Sequence, residues 1–134
     1  MAKYEIKDGV GIIPERTKVI KEEAFKYCNE LTSIIIPASV TKMGERIFYE
    51  CAALKTVSIL GAVSKLDKGL FKDCTSLETV TLGAGIKKIE ANVFDGCTGI
   101  KTINVPAKKA DYYKKRLPES LHNLIVELPA DKKK

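Results

Sequence analysis

A 23-residue repeat is the feature that most constrains how this chain can fold. Eight positions of the repeat hold apolar residues in successive copies, and two of these positions keep a single residue type. These two series are Phe25, Phe48, Phe71, Phe94 and Cys28, Cys51, Cys74, Cys97. Agreement at so many positions does not arise by chance, and it predicts an architecture of stacked repeats.

Each repeat contains the pattern of a short strand with one buried face. Ile34 and Ile36 alternate with Ser33 and Ile35, which is the period of two expected for a strand. Stacking repeats about 4.8 Å apart makes each apolar column continuous. We therefore predict an α/β fold, a right-handed solenoid with short parallel strands. The return segments, for example residues 41–48, predict short helical or 3₁₀ turns on the convex side.

Both ends of the repeat array predict caps. Residues 4–13 have the pattern of a hairpin with an Asp-Gly turn. Residues 108–117 predict an amphipathic helix, and residues 124–128 predict a last strand in which Val126 continues the column of Ile103. The predicted organisation is one domain, 1–134, with an N-terminal cap and partial repeat (1–24), repeats (25–106), a C-terminal cap (107–129) and a basic tail (130–134).

The repeat resembles a known family. The pattern Phe-x-x-Cys-x-x-Leu-x-x-Ile-x-Ile-Pro-x-x-Val-x-x-Met, from Phe25 to Met43, is similar to the BspA-like (TpLRR) leucine-rich repeat, and the likeness covers residues 10–106. Leu60 and Gly83 replace the proline that ends the strand in other copies. The resemblance implies a leucine-rich-repeat solenoid of the kind found in bacterial surface or secreted proteins that engage other proteins.

Charge is concentrated at the C-terminal end of the chain. Of the formal net charge of +6, residues 101–134 contribute +5. No apolar run approaches the roughly 20 residues that span a bilayer, and the first residues lack the apolar core of a signal peptide. We expect a cytoplasmic protein as the sequence stands, or a cell-surface or secreted one if the sequence is part of a longer protein.

The cysteines and the single histidine predict no catalytic, metal or cofactor site. Equivalent cysteines of stacked repeats form a line and cannot surround a zinc ion tetrahedrally. Neighbouring cysteines lie within disulfide range, but parallel inward side chains favour a column of reduced thiols that donate weakly to the turn backbone. His122 has no nucleophile beside it in the sequence and is expected to be a cap or surface residue. A non-catalytic protein is the prediction.

The predicted concave face of the sheet is the best candidate for binding another protein, whose identity the sequence does not specify. Its outward residues are Ile12, Ser33, Ile35, Thr56, Ser58, Thr79, Thr81, Thr102 and Asn104. Exposed apolar residues among hydroxyls are typical of a modest protein contact, whereas threonine also simply favours strands. Alternatively, Ile12, Ile35 and Leu60 pack under the N-terminal hairpin. We expect a monomer.

A weak nucleic-acid interaction is the alternative function. Lys42, Lys65 and Lys88 occupy one repeat position and predict a basic stripe. More positive charge comes from residues 114–116 and the tail 132–134, where a solubilising role is the simpler interpretation. A repeat domain of a larger bacterial surface adhesin is a further possibility.

Overall fold

Strands make up most of the regular secondary structure in the computed structural model, which describes residues 4–130. In chain order they are β1 (Glu5–Lys7), β2 (Val10–Ile12), β3 (Val19–Ile20), β4 (Ser33–Ile36), β5 (Lys42–Met43), β6 (Thr56–Ile59), β7 (Lys65–Leu66), β8 (Thr79–Leu82), β9 (Lys88–Ile89), β10 (Thr102–Val105) and β11 (Ile125–Glu127). A short helix, α1 (Ala110–Lys114), and a 3₁₀ helix (Glu119–Leu124) lie between β10 and β11.

One seven-stranded sheet runs the length of the solenoid. Its strand order is β1-β2-β4-β6-β8-β10-β11, and every pair is parallel except the β1–β2 hairpin. Ser33, Thr56, Thr79 and Thr102 are in direct register, each one repeat length after the last. The predicted solenoid with stacked coils of equal length and parallel strands is therefore confirmed.

The core is made of the repeat's apolar columns. Ile34, Val57, Val80 and Ile103 each have at most 1% of their surface exposed. The repeat phenylalanines stack ring over ring, with neighbouring centroids 5.5–5.6 Å apart, and Tyr4 extends the stack at 5.4 Å from Phe25. Among residues 4–130 no charged side chain is buried, and the buried side chains that carry a hydroxyl or thiol group are Tyr113, Cys51, Cys74 and Cys97. Burial of these apolar columns is consequently the main stabilising force.

The predicted helical turns on the return side are wrong. In three of the coils, two residues around the phenylalanine have positive φ, for example Arg46 (52°) and Glu50 (54°), and left-handed residues interrupt a right-handed helix. Alternate amides then donate to the next coil: Phe48 N–H bonds to the Leu70 carbonyl oxygen at 3.0 Å. The turns are therefore joined between coils, and two-residue strands (β3, β5, β7, β9) complete the return side.

The cysteines form one row, as predicted. The thiols of Cys51, Cys74 and Cys97 each donate to the carbonyl oxygen of the phenylalanine in the preceding coil, at 3.0 Å. All four cysteines are free thiols. Burial raises the pKa of Cys51 and Cys97 to about 12, and it raises the pKa of Cys74 as well. These thiols are protonated, buried fillers with a hydrogen bond.

The residue that ends each sheet strand determines the turn that follows. After Pro14 and Pro37 the chain closes a turn in which the amide three residues later bonds to the proline carbonyl oxygen, at 3.1 Å in both. Residues Leu60 and Gly83 begin open bends without that bond. Gly61 has no room for a side chain, because an added Cβ would collide with the Val40 carbonyl oxygen.

Return strands pair only between coils whose turns match. Strand β3 pairs with β5, where both coils have the proline turn, and β7 pairs with β9, where both have the open bend. Between β5 and β7 the turn changes, and within residues 4–130 those two strands form no ladder. A difference in turn geometry displaces the return strands, so this one interface is left open.

The C-terminal cap differs in detail from the prediction. Helix α1 is shorter than residues 108–117, because Lys108 has φ of 68° and cannot start a helix. Strand β11 pairs Ile125, not Val126, with Ile103. The number of residues from Ile103 to its partner is therefore one fewer than the repeat length. A shift of one residue exchanges the two faces of a strand, and Val126 is consequently exposed. The cap segment is not a coil of the repeat, so it does not keep the repeat length.

Within the described residues, no helix combines the length and apolar character required to cross a membrane.

Raising the pH should destabilise the fold through the thiol row. An unperturbed thiol has a pKa of 9.0, whereas burial raises the pKa of Cys51 and Cys97 to about 12. The folded state therefore binds more protons above pH 9, and the stability present below that pH is lost as the pH rises towards 12. By pH 10 we expect a loss of about 1 kcal/mol for each of these two thiols, measured by urea denaturation. The variant Cys51→Ala/Cys74→Ala/Cys97→Ala should lose distinctly less; an equal loss would contradict this account.

The open interface should be visible in amide hydrogen exchange. Thr41 and Lys42 amides bond to the Lys18 carbonyl oxygen at 2.9 and 3.3 Å, whereas Ser64 and Lys65, their equivalents in the next coil, have no such acceptor within residues 4–130. Measured by NMR, the Ser64 and Lys65 amides should exchange at least about tenfold faster than those of Thr41 and Lys42. Equal protection would mean that the β5–β7 ladder is closed in solution.

Candidate protein-binding surface on the sheet

Two columns of outward residues cover the side of the large sheet that faces away from the core; we call them the outer sheet face. The first column is Val10, Ser33, Thr56, Thr79 and Thr102, and the second is Ile35, Ser58, Thr81 and Asn104, with Ile12 one position beyond the paired residues of β2. All nine residues predicted as a binding surface lie on this face. The structure brings them together because parallel register places equivalent residues side by side.

Apolar exposure on the outer sheet face is concentrated at its N-terminal end. Ile35 is 59% exposed, Val10 45% and Ile12 39%. Leu60, which is 55% exposed, lies at the end of β6 beside this region. Strand β1 pairs edge to edge with β2, so the hairpin extends the sheet and does not cover Ile35. The alternative in which these residues pack under the hairpin is therefore wrong.

The outer sheet face carries no charge across its four central strands. Its eight outward residues on β4, β6, β8 and β10 are all serine, threonine, asparagine or isoleucine, in a chain of which 30% is charged. Two of these side chains are hydrogen-bonded to each other: Asn104 Nδ2 donates to Thr81 Oγ1 at 3.2 Å. Charge depletion is characteristic of the centre of protein interfaces, which makes this face chemically distinct from the remaining surface.

Val10 was not among the predicted surface residues, although the repeat contained the signal. It lies one repeat length before Ser33 and pairs with it. Exposed Val126 adds an apolar residue at the other end of the second column, where it pairs with Asn104. No sequence signal identified Val126, because the cap does not follow the repeat spacing.

Arg116 and the two adjacent tyrosines hold the C-terminal cap in place. Arg116 lies over the Tyr112 ring at 3.6 Å and donates to the Lys87 carbonyl oxygen at 3.0 Å. Tyr112 donates to the Ile86 carbonyl oxygen at 2.7 Å, and Tyr113 is fully buried. Burial raises the pKa of Tyr113 to about 12. Tyr112 is partly buried as well, so neither tyrosine faces solvent fully.

The predicted basic stripe is partly neutralised. Lys65 lies 3.8 Å from Asp67 and 3.6 Å from Glu90, and Lys88 lies 3.7 Å from Glu90. Each of these lysine side chains is close to half exposed or more, so the pairs contribute little stability. The predicted basic tail, residues 132–134, lies outside the described residues.

The cysteines and the histidine take structural positions. The thiol row is buried, apart from half-buried Cys28 at its N-terminal end. His122 lies in the 3₁₀ helix of the cap, with Nε2 3.0 Å from the Leu117 carbonyl oxygen. In the part of the chain that the structure describes, no three metal-ligating side chains are grouped to hold an ion.

A family model decides what kind of repeat this is. The model of the BspA type leucine-rich repeat region matches residues 11–116 with six copies, which is more than half of the chain. The chain belongs to the BspA-type leucine-rich repeat family. A comparison with curated protein sequences gave no match.

Two solved structures share the fold of this BspA-type protein. A leucine-rich cell surface protein from Faecalibacterium prausnitzii A2-165 is 25% identical with a TM-score of 0.71, over 95% of this chain and 33% of that one. A leucine-rich repeat protein from Bacteroides ovatus ATCC 8483 is 26% identical with a TM-score of 0.65, over 83% of this chain and 28% of that one. This chain therefore spans about a third or less of the length of either protein.

Substitutions at adjacent strand residues should separate exposed from buried positions. Ile35→Lys places a charge at a 59% exposed position and should change the free energy of unfolding by less than about 0.5 kcal/mol. Ile34→Lys, at a position that is 1% exposed, should cost several kcal/mol because it buries an unpaired charge. Thermal denaturation compares the two. Similar losses in both variants would show that the outer sheet face is covered in solution.

Proposed function

We propose that this BspA-type repeat chain is a non-catalytic binding module, and that its outer sheet face binds an extended, uncharged segment of another protein. The observation that carries the proposal is the charge-free set of eight central residues, which includes exposed Ile35 and is bordered by exposed Val10 and Ile12. Removing water from such a surface costs less free energy than removing it from a charged one. Its hydroxyl groups and its amide can form hydrogen bonds with a partner at the fixed spacing of the strands.

The dimensions of the outer sheet face favour a segment over a flat protein surface. The five strands that carry it lie about 4.8 Å apart and extend about 19 Å, and two outward residues per strand make the face only about 7 Å wide. That footprint is about 130 Å², well below the roughly 800 Å² that each partner contributes to a standard interface. An extended chain of about six residues spans the same length.

The location we propose is the surface of a cell or the extracellular medium, as one module of a longer protein. The support is the name of the neighbour from Faecalibacterium prausnitzii, which is a cell surface protein, and the small share of each neighbour that this chain covers. The buried thiols are reduced, and they are compatible with a location inside or outside the cell because they lie in the core and do not cross-link the chain.

A peptide-display selection against the folded protein would test this function. Binding of selected peptides should weaken by more than about tenfold in Ile35→Lys/Ser58→Lys/Thr81→Lys, because three charges would then have to be desolvated at the interface centre. The matched control is Ala52→Lys/Thr75→Lys/Thr98→Lys, which adds the same charge at exposed turn positions and should leave affinity unchanged. Equal losses in both variants would contradict the proposal.

The salt dependence of binding distinguishes the proposal from the alternative of nucleic-acid binding. Contacts on an uncharged face should change by less than about twofold between about 50 mM and about 500 mM NaCl, whereas phosphate contacts weaken steeply. A mobility shift of mixed DNA and RNA that disappears at high salt would instead favour the basic cap.

A further inference from the structure

The open interface between β5 and β7 forms a cleft on the return side of the solenoid. Its volume is 360 Å³, and it is lined by Thr41, Lys42, Met43, Val63, Ser64, Lys65 and Asp67. It lies outside the large sheet and shares no residue with the outer sheet face. The mismatch between the Pro37 turn and the Leu60 bend, described above, is what separates its two walls.

The width of the cleft excludes an inserted strand. Adjacent strands lie about 4.8 Å apart, so a chain inserted between two strands needs about 9.6 Å. Cα atoms of β5 and β7 approach within 8 Å of one another. The occupant that fits between these walls is therefore a small chemical group.

The wall formed by Ser64 and Lys65 presents two amides without an acceptor among the described residues. In this solenoid two consecutive amides at this point of the coil converge on one oxygen atom. Thr41 and Lys42 meet the Lys18 carbonyl at 2.9 and 3.3 Å, and the amides of residues 87 and 88 meet the Ser64 carbonyl at 2.7 and 3.2 Å. The equivalent acceptor for Ser64 and Lys65 is the Thr41 carbonyl, but among the described residues neither amide forms this bond. Because the equivalent amides in both neighbouring coils share one oxygen, the same arrangement at Ser64 and Lys65 accommodates one incoming oxygen.

The charge around the cleft favours an oxygen that carries negative charge. Lys42 forms no ion pair with another described residue, so its ammonium is uncompensated. The Asp67 carboxylate opposes an anion, but it accepts the Lys68 amide at 2.8 Å and lies 3.8 Å from the Lys65 ammonium. The net charge of the lining side chains is +1, from Lys42 and Lys65 against Asp67. Glu90, outside the lining, also lies 3.6 Å from the Lys65 ammonium, so Lys42 is the cation that attracts an anion to the cleft.

We propose that this cleft binds a small oxyanion, such as a carboxylate, phosphate or sulfate group. One oxygen accepts from the main-chain amides of Ser64 and Lys65, and the Lys42 ammonium binds the same group at the mouth of the cleft. Charge-assisted hydrogen bonds of this kind are shorter and stronger than neutral ones. The inference is independent of the function proposed for the outer sheet face.

An NMR titration tests the site with three separate probes: sodium sulfate, sodium phosphate and sodium acetate, each at ionic strength held constant with NaCl. We expect saturable shifts of the Ser64 and Lys65 amide signals with at least one probe, and the ranking of the three identifies the preferred oxyanion. Lys42→Gln should weaken that binding by roughly three- to tenfold through loss of the charged contact.

The matched control is Lys88→Gln, at the equivalent position one coil after Lys65. There β7 and β9 are paired, and the amides of residues 87 and 88 already have an acceptor. This variant should keep the affinity of the unmodified protein. Shifts that do not saturate, shifts spread over all lysine-rich segments, or equal losses in the two variants would overturn the proposal. Both substitutions lie at exposed positions, so a preserved amide spectrum verifies folding.

Discussion

Hydrogen bonds between successive coils are the constraint on which the rest of this structure depends. On the sheet side and in the turns around the phenylalanines, main-chain amides donate to a neighbouring coil. Such bonding requires coils of equal length, because each donor must meet its acceptor at every level. Equal length then places phenylalanine over phenylalanine and thiol below carbonyl, so the apolar columns are a consequence of the same register.

The sequence was most informative where side chains report on this register. The stacked columns, the parallel strands and the outward positions of residues such as Ile35 and Thr81 all follow from counting along the chain in repeat lengths. The turns were signalled only weakly, because Gly69 and Gly96 occupy the left-handed positions in two coils. In the other coils these positions hold residues such as Glu23, Tyr27 and Arg46, which do not signal a positive φ. The cap register failed because the segment between β10 and β11 does not form a repeat coil.

The candidate surface was predictable in position but not in character. Its residues follow from the alternation of the strands, whereas the absence of charge is noticed only when the outward residues of neighbouring strands are viewed as one surface. The cleft was not predictable at all. Replacement of proline by Leu60 is visible in the sequence, but its effect on a hydrogen-bond ladder further along the coil depends on how two different turns stack.

The change of turn type after β6 divides the solenoid into two blocks, each internally matched. The first block has its return strands joined by the ladder of β3 and β5, and the second by that of β7 and β9. The blocks remain joined by the large sheet and by the phenylalanine stack. The return side is therefore interrupted between the blocks, whereas the large sheet on the opposite side is continuous. Bending of the solenoid is consequently favoured about the large sheet. The residue that follows each sheet strand, proline or another residue, determines between which coils the bending occurs.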